Sequence, residues 1–75
     1  MTLQQLKYIV AVAETGNMTE AAEKLFIAQP SLTNAIRNLE NEMGITAFTR
    51  SNKGVELTRE GEELLSYARQ ILEQA

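Results

Sequence analysis

Leu3, Leu6, Ile9, Val10 and Ala13 recur at the spacing that lines one side of a helix. Thr2 followed three residues later by Gln5 has the form of a capping box just ahead of that stripe, and Gly16 just behind it is a residue on which helices stop. The pattern predicts a first helix reaching Gly16. Asn17 and Glu20 repeat the box, with the asparagine side chain placed to accept from a free backbone N–H and the glutamate to reach back. A second helix is predicted from Met18 to Leu25, and its Ala21, Ala22 and Leu25 form a face small enough for another helix to cross closely. Pro30, the only proline, lacks an N–H and presets its own φ, so it suits the first turn of a third helix beginning at Gln29 or Pro30. On that helix Leu32, Ala35, Ile36, Leu39 and Met43 share one side, while Pro30, Thr33, Asn34, Arg37 and Asn41 share the other.

Beyond Gly44 the period shortens. Ala47 to Arg50 and Val55 to Leu57 read as two short strands pairing around Ser51, Asn52, Lys53 and Gly54, a hairpin of the kind called a wing. Thr58 then caps a last helix of about 17 residues, roughly 25 Å long. Leu64, Leu65, Ala68, Ile71, Leu72 and Ala75 run along it as one apolar stripe. A helix of that length should outrun so small a core, so Ile71 and Leu72 are expected to stand exposed until a second copy of the chain covers them. The rival reading is that the stripe only closes the domain's own core.

Composition removes whole classes of function. A chain of 75 residues makes one small domain. Without cysteine or histidine it has no disulfides, no thiolate or imidazole metal site and none of the usual Cys, Ser and His catalytic pairings. Glu62 and Glu63, the best candidate acids, are neighbours on an exposed helix and not a convergent pair. No enzyme activity, cofactor or metal is expected. No apolar run approaches a membrane span, and the N-terminus lacks the basic start and apolar middle of a signal peptide, so a cytoplasmic protein with no membrane partner is expected.

The net charge of −3 disfavours nucleic acid only until its distribution is considered. Residues 44 to 59 carry Arg50, Lys53 and Arg59 against Glu56 alone, a local +2. Residues 60 to 75 set Glu60, Glu62, Glu63 and Glu73 against Arg69, a local −3. The acid excess can therefore face away from a bound polyanion. The third helix sharpens this, because its outer face offers amides, hydroxyls and one arginine, with no carboxylate before Glu40. Solvated faces usually mix acids and bases; this one suits phosphates. Asparagine and glutamine pair bidentately with the adenine edge, arginine favours guanine or phosphate, and Thr33 suits a phosphate or a thymine methyl. The backbone N–H groups that open the helix favour an anion as well. Ala22, Leu25, Ile27, Leu32, Ala35 and Ile36 fall where helix-turn-helix units place the residues that lock two crossed helices. Phe26 occupies the turn position where many such units have glycine, and a left-handed backbone is expected there.

Spread over "LQQLKYIVAVAETGNMTEAAEKL", "AQPSLTNAIRNLENEMG", "AFTRSNKGVELTREG" and "LLSYARQIL", the chain resembles the N-terminal domain of LysR-type transcriptional regulators. The resemblance implies a mainly α fold, a winged helix-turn-helix with a three-helix core, a two-stranded β wing and a long C-terminal linker helix. Residues 1–58 would form the DNA-binding domain and 59–75 the linker and dimerisation helix. The effector-binding domain of such a bacterial regulator would be absent from this chain, and a small-molecule effector would act only through it. Double-stranded operator DNA and a second copy of the chain, as a homodimer, are the implied partners. Gln29, Pro30, Thr33, Asn34 and Arg37 match the family's recognition helix, with Ser31 beside them. Arg50, Lys53 and Gly54 match its wing, and Leu64, Leu65, Ala68, Ile71 and Leu72 are the dimerisation candidates. Three positions depart from the family pattern. Ala28 stands where serine is usual, Asn34 where a basic residue is frequent, and Ala47 where leucine is common.

Each assignment has a rival. The polar positions of the third helix could be a solvated face, Arg37 could pair with Glu40 or Asn41, and Arg50 could be an internal strut holding the wing to the body. A helix-turn-helix module turned to protein–protein interaction is the alternative function, one that the net acidity would suit.

Overall fold

In the computed structural model, which describes residues 1–74, six elements follow one another: α1 (Leu3–Thr15), α2 (Met18–Leu25), α3 (Gln29–Met43), β1 (Phe48–Ser51), β2 (Gly54–Leu57) and α4 (Arg59–Gln74). The α1 box forms in full: Thr2 Oγ1 accepts from the Gln5 N–H at 3.1 Å and Gln5 Oε1 accepts from the Thr2 N–H at 2.9 Å. At α2 only the asparagine half is made, Asn17 Oδ1 accepting from the Glu20 N–H at 3.0 Å. Phe26 ends α2 at φ 59°, ψ 41°, the left-handed conformation expected of it. Pro30 lies in the first turn of α3, and Gly44 stops that helix at φ 69°.

Ile9, Val12, Leu32 and Leu39 are the largest fully buried side chains, so the core lies where α1 and α3 face one another. Ala21 and Ala22 are buried beside them, and this small-residue face brings α2 against α3. α4 lies along α1. Its Leu64 and Ala68 are buried in that contact, at 5% and 0% exposure.

Two expectations need correction. Ala47 is not part of β1, and Gly54 joins β2: the register pairs Phe48 with Leu57 and Ser51 with Gly54, leaving Asn52 and Lys53 as a two-residue turn. Ala47 is withheld from the ladder by other partners. Its N–H donates to Glu40 Oε2 at 2.7 Å, and its carbonyl accepts from the Thr58 N–H at 3.0 Å. The second correction concerns Ile71 and Leu72, which are half-buried and not exposed, because α4 follows α1 instead of projecting past the core. Arg69 meets Glu14 of α1 at 3.9 Å on that flank. The large exposed apolar side chain of α4 is Tyr67, at 49%. Ala75, the last member of the predicted stripe, lies outside the described residues.

The wing and α4 are seated by two glycines. A Cβ on Gly61 would lie 2.0 Å from the Ala47 carbonyl oxygen, so only glycine lets the first turn of α4 approach that closely. A Cβ on Gly54, where φ is 123°, would lie 2.5 Å from the Gly16 carbonyl oxygen, which accepts from the Val55 N–H at 3.0 Å.

Candidate nucleic-acid interface

Burial of Leu32, Ile36 and Leu39 fixes the rotation of α3 about its axis and so decides which side chains face outward. Gln29, Pro30, Ser31, Asn34 and Arg37 are exposed, and Thr33 is half-buried on the same helix. The helix opens at Ala28, whose side chain offers no capping hydrogen bond while its carbonyl takes the N–H groups of Ser31 and Leu32 at 3.1 and 3.2 Å. A helix start without a side-chain cap favours an outside anion, since unpaired N–H groups and the helix dipole point toward it.

Arg50 and Lys53 are exposed on the wing, Arg50 in β1 and Lys53 in the turn, where the Lys53 N–H donates to Ser51 Oγ at 3.2 Å. Gly54 is half-buried at the turn end of the hairpin, next to Lys53, where it lies against the end of α1.

Ion pairing distinguishes the bases of α3 and the wing from most of the others, with Lys7 of α1 the exposed and unpaired exception among the described residues. Lys24 pairs with Glu14, Arg69 with Glu14 and Arg59 with Glu63, while the N-terminal ammonium pairs with Glu42. Among the described residues Arg37, Arg50 and Lys53 form no ion pair and no side-chain hydrogen bond. Arg37 meets neither of its rival partners among the described residues: it makes no ion pair with Glu40, whose Oε2 accepts from the N–H groups of Ala47 and Phe48 at 2.7 and 3.3 Å, and no hydrogen bond with Asn41. The strut rival for Arg50 is removed as well. A cation left without a protein acceptor on a carboxylate-poor face is available to an outside anion.

Three residues that matter in the fold around this surface were given no structural role by sequence reasoning. Glu40 ties α3 to β1. Its sequence signal was its position as the first carboxylate of α3, where the charge pattern changes. Gly61 was visible as an isolated glycine in a helical pattern, which marks a close approach. Tyr67 lies off the stripe positions and gave no signal. Of the dimerisation candidates, Leu64 and Ala68 face the chain's own core, while Leu65, Ile71 and Leu72 keep part of their surface. Met43, Ile45, Leu64 and Tyr67 line a shallow apolar groove with Glu60 and Glu63 at its edge.

Residues 3–62 match the model of a family described as "Bacterial regulatory helix-turn-helix protein, lysR family". Over the whole chain the sequence is 47% identical to the transcriptional regulator TcbR of Pseudomonas sp. strain P51, covering 26% of that protein. It is 51% identical to the Hca operon transcriptional activator HcaR of Escherichia coli K12, again over the whole chain and 25% of the relative. The chain thus spans about a quarter of the length of these curated relatives. The fold superposes with a TM-score of 0.95 on the crystal structure of the CbnR_DBD–DNA complex, at 46% identity over 99% of this chain and 85% of that one.

Proposed function

This chain belongs to the lysR family of bacterial regulatory helix-turn-helix proteins, and we propose that it binds duplex DNA sequence-specifically in transcriptional regulation. α3 enters the major groove and the β1–β2 wing reaches the flanking backbone. The observation that carries this reading is the outer face of α3 and the wing: Arg37, Arg50 and Lys53 stand exposed there without an acceptor among the described residues, as does Lys7 on α1, while Lys24, Arg59 and Arg69 have carboxylates within 4.0 Å. Likeness to a domain crystallised on DNA supports it. Gln29 and Asn34 read base edges, with adenine the favoured partner of their amides. Pro30 and Ser31 pack at the mouth of the groove, Thr33 meets a phosphate or a thymine methyl, and Arg37, Arg50 and Lys53 hold phosphates or, for Arg37, guanine.

Residues 1–58 are the DNA-binding unit in this proposal and α4 is the dimerisation helix, with a second copy covering Leu65, Tyr67, Ile71 and Leu72. The exposed Tyr67 and the apolar groove beside it support that surface. Mobility shift on a duplex selected from a random pool tests DNA binding. Each phosphate neutralised contributes about 0.9 to the log–log salt slope, so a dimer should show a slope of several units. A salt-independent shift, or none, overturns the reading. Sedimentation of Ile71→Asp tests the dimer, which should shift toward monomer while the circular dichroism of the body is kept.

A further inference from the structure

Four backbone N–H groups of the segment joining α3 to the wing converge on one residue. The Glu40 carbonyl accepts from Gly44 and, at 3.0 Å, from Ile45. Glu40 Oε2 accepts from Ala47 at 2.7 Å and from Phe48 at 3.3 Å. Ala47 and Phe48 are both buried, so their N–H groups need a protein acceptor, and the carboxylate is the one they have. Phe48 is also the first residue of β1, paired with Leu57. The side chain of a residue on α3 therefore sets where the first strand of the wing begins.

We propose that Glu40 is a positioning residue for DNA recognition, fixing the wing against α3 so that Lys53 and Arg50 reach the backbone in register with the bases read by Gln29 and Asn34. The proposal rests on the DNA-binding reading above. Its physical basis is that two contact elements on one rigid body share the cost of ordering, whereas a loosely hinged wing must be ordered anew on each binding event. β2 has its own seat, the Val55 N–H on the Gly16 carbonyl, and Thr58 fastens the wing's exit to Ala47. The carboxylate is what connects β1 to α3. Its chemistry is that of an acceptor, so an amide oxygen in the same place should serve and a shortened side chain should not.

The test is a double-mutant cycle in DNA affinity between Glu40 and Lys53, which share no contact, with Gln29→Ala as reference. Lys53→Ala alone should weaken binding several-fold and lower the salt slope by about 1. In a Glu40→Ala background the same change should cost less by about threefold or more, because β1 is no longer tied to α3 and the Val55 seat on Gly16 is left to hold the hairpin. Gln29→Ala should keep its full effect in that background, since the N-terminal half of α3 is untouched. Glu40→Gln should restore the Lys53 effect, and Glu40→Asp, the fallback if Glu40→Ala is unfolded by circular dichroism, should reduce it by about threefold or more. A Lys53 effect of equal size in the Glu40→Ala or Glu40→Asp background overturns the proposal and leaves Glu40 a fold residue. Failure of Lys53→Ala to matter in the wild-type chain instead overturns the assigned wing contact on which the proposal stands.

Discussion

α3 and α4 are the two longest helices, of 15 and 16 residues, and both bury one side in the same core. Their outer sides differ. α3 carries no acid in its first turn and exposes Gln29, Ser31, Asn34 and Arg37, whereas α4 begins with Glu60 and Glu62 and goes on to Glu63. The acids of α4 sit near its N-terminus, where they favour the helix dipole, so they stabilise their own element while remaining off the candidate binding face. Such separation lets a chain of net charge −3 present a surface acceptable to a polyanion. Where charge sits, more than its total, decides what an acidic domain of this size can hold.

Moving a carboxylate between the helices should break the comparison most severely. Thr33→Glu should lower affinity for a selected duplex about a hundredfold, some 2–3 kcal/mol, whereas Ser66→Glu on the exposed side of α4 should change it less than about threefold. Equal losses in fluorescence-anisotropy titrations would show that net charge alone governs binding. Gly61→Ala forces a Cβ against the Ala47 carbonyl at the α4–wing junction and should destabilise the fold by about 1–3 kcal/mol, read as a lowered urea midpoint. Asn34→Ala should cost about 1–3 kcal/mol on the selected site and little on unrelated DNA. If it weakens both alike, the base-reading role of that face is lost and α3 only holds phosphates. Smallest of all, Glu62→Gln should leave affinity within about twofold, since this acid is exposed to solvent on α4 and belongs to neither α3 nor the wing.

Helix limits were legible because local chemistry dictates them. Thr2, Asn17, Pro30, Gly16 and Gly44 act within a turn of their own position, and α1, α2 and α3 run as the pattern says. The wing's start was misplaced by one residue because the partners of Ala47 lie far off in sequence: Glu40 behind it and Thr58 ahead. Periodicity carries no information about such distant acceptors. Of the apolar stripe on α4, Leu64 and Ala68 are buried and Leu65, Ile71 and Leu72 half-buried, yet sequence cannot say that α1 covers Ile71 and Leu72 in part, nor does the stripe point to Tyr67. In the candidate interface the outward residues of α3 followed from the wheel. That Arg37 and Arg50 meet no acceptor among the described residues could be seen only in the folded chain, because each has polar neighbours in sequence with which it could have paired.

The Gly16 carbonyl, on which Val55 rests, also orders events in time. A hairpin of two four-residue strands is marginal in water by itself. The contacts among α1, α2 and α3 span shorter stretches of chain than the Gly16–Val55 contact and should form earlier, whereas the wing must wait until the end of α1 has turned through Gly16 and offered its oxygen. The hairpin should therefore be the last element to assemble and the first to open. Amide exchange at Val55 should outpace that at Ile9 and Leu39 in the free domain and slow when the wing is held against a duplex.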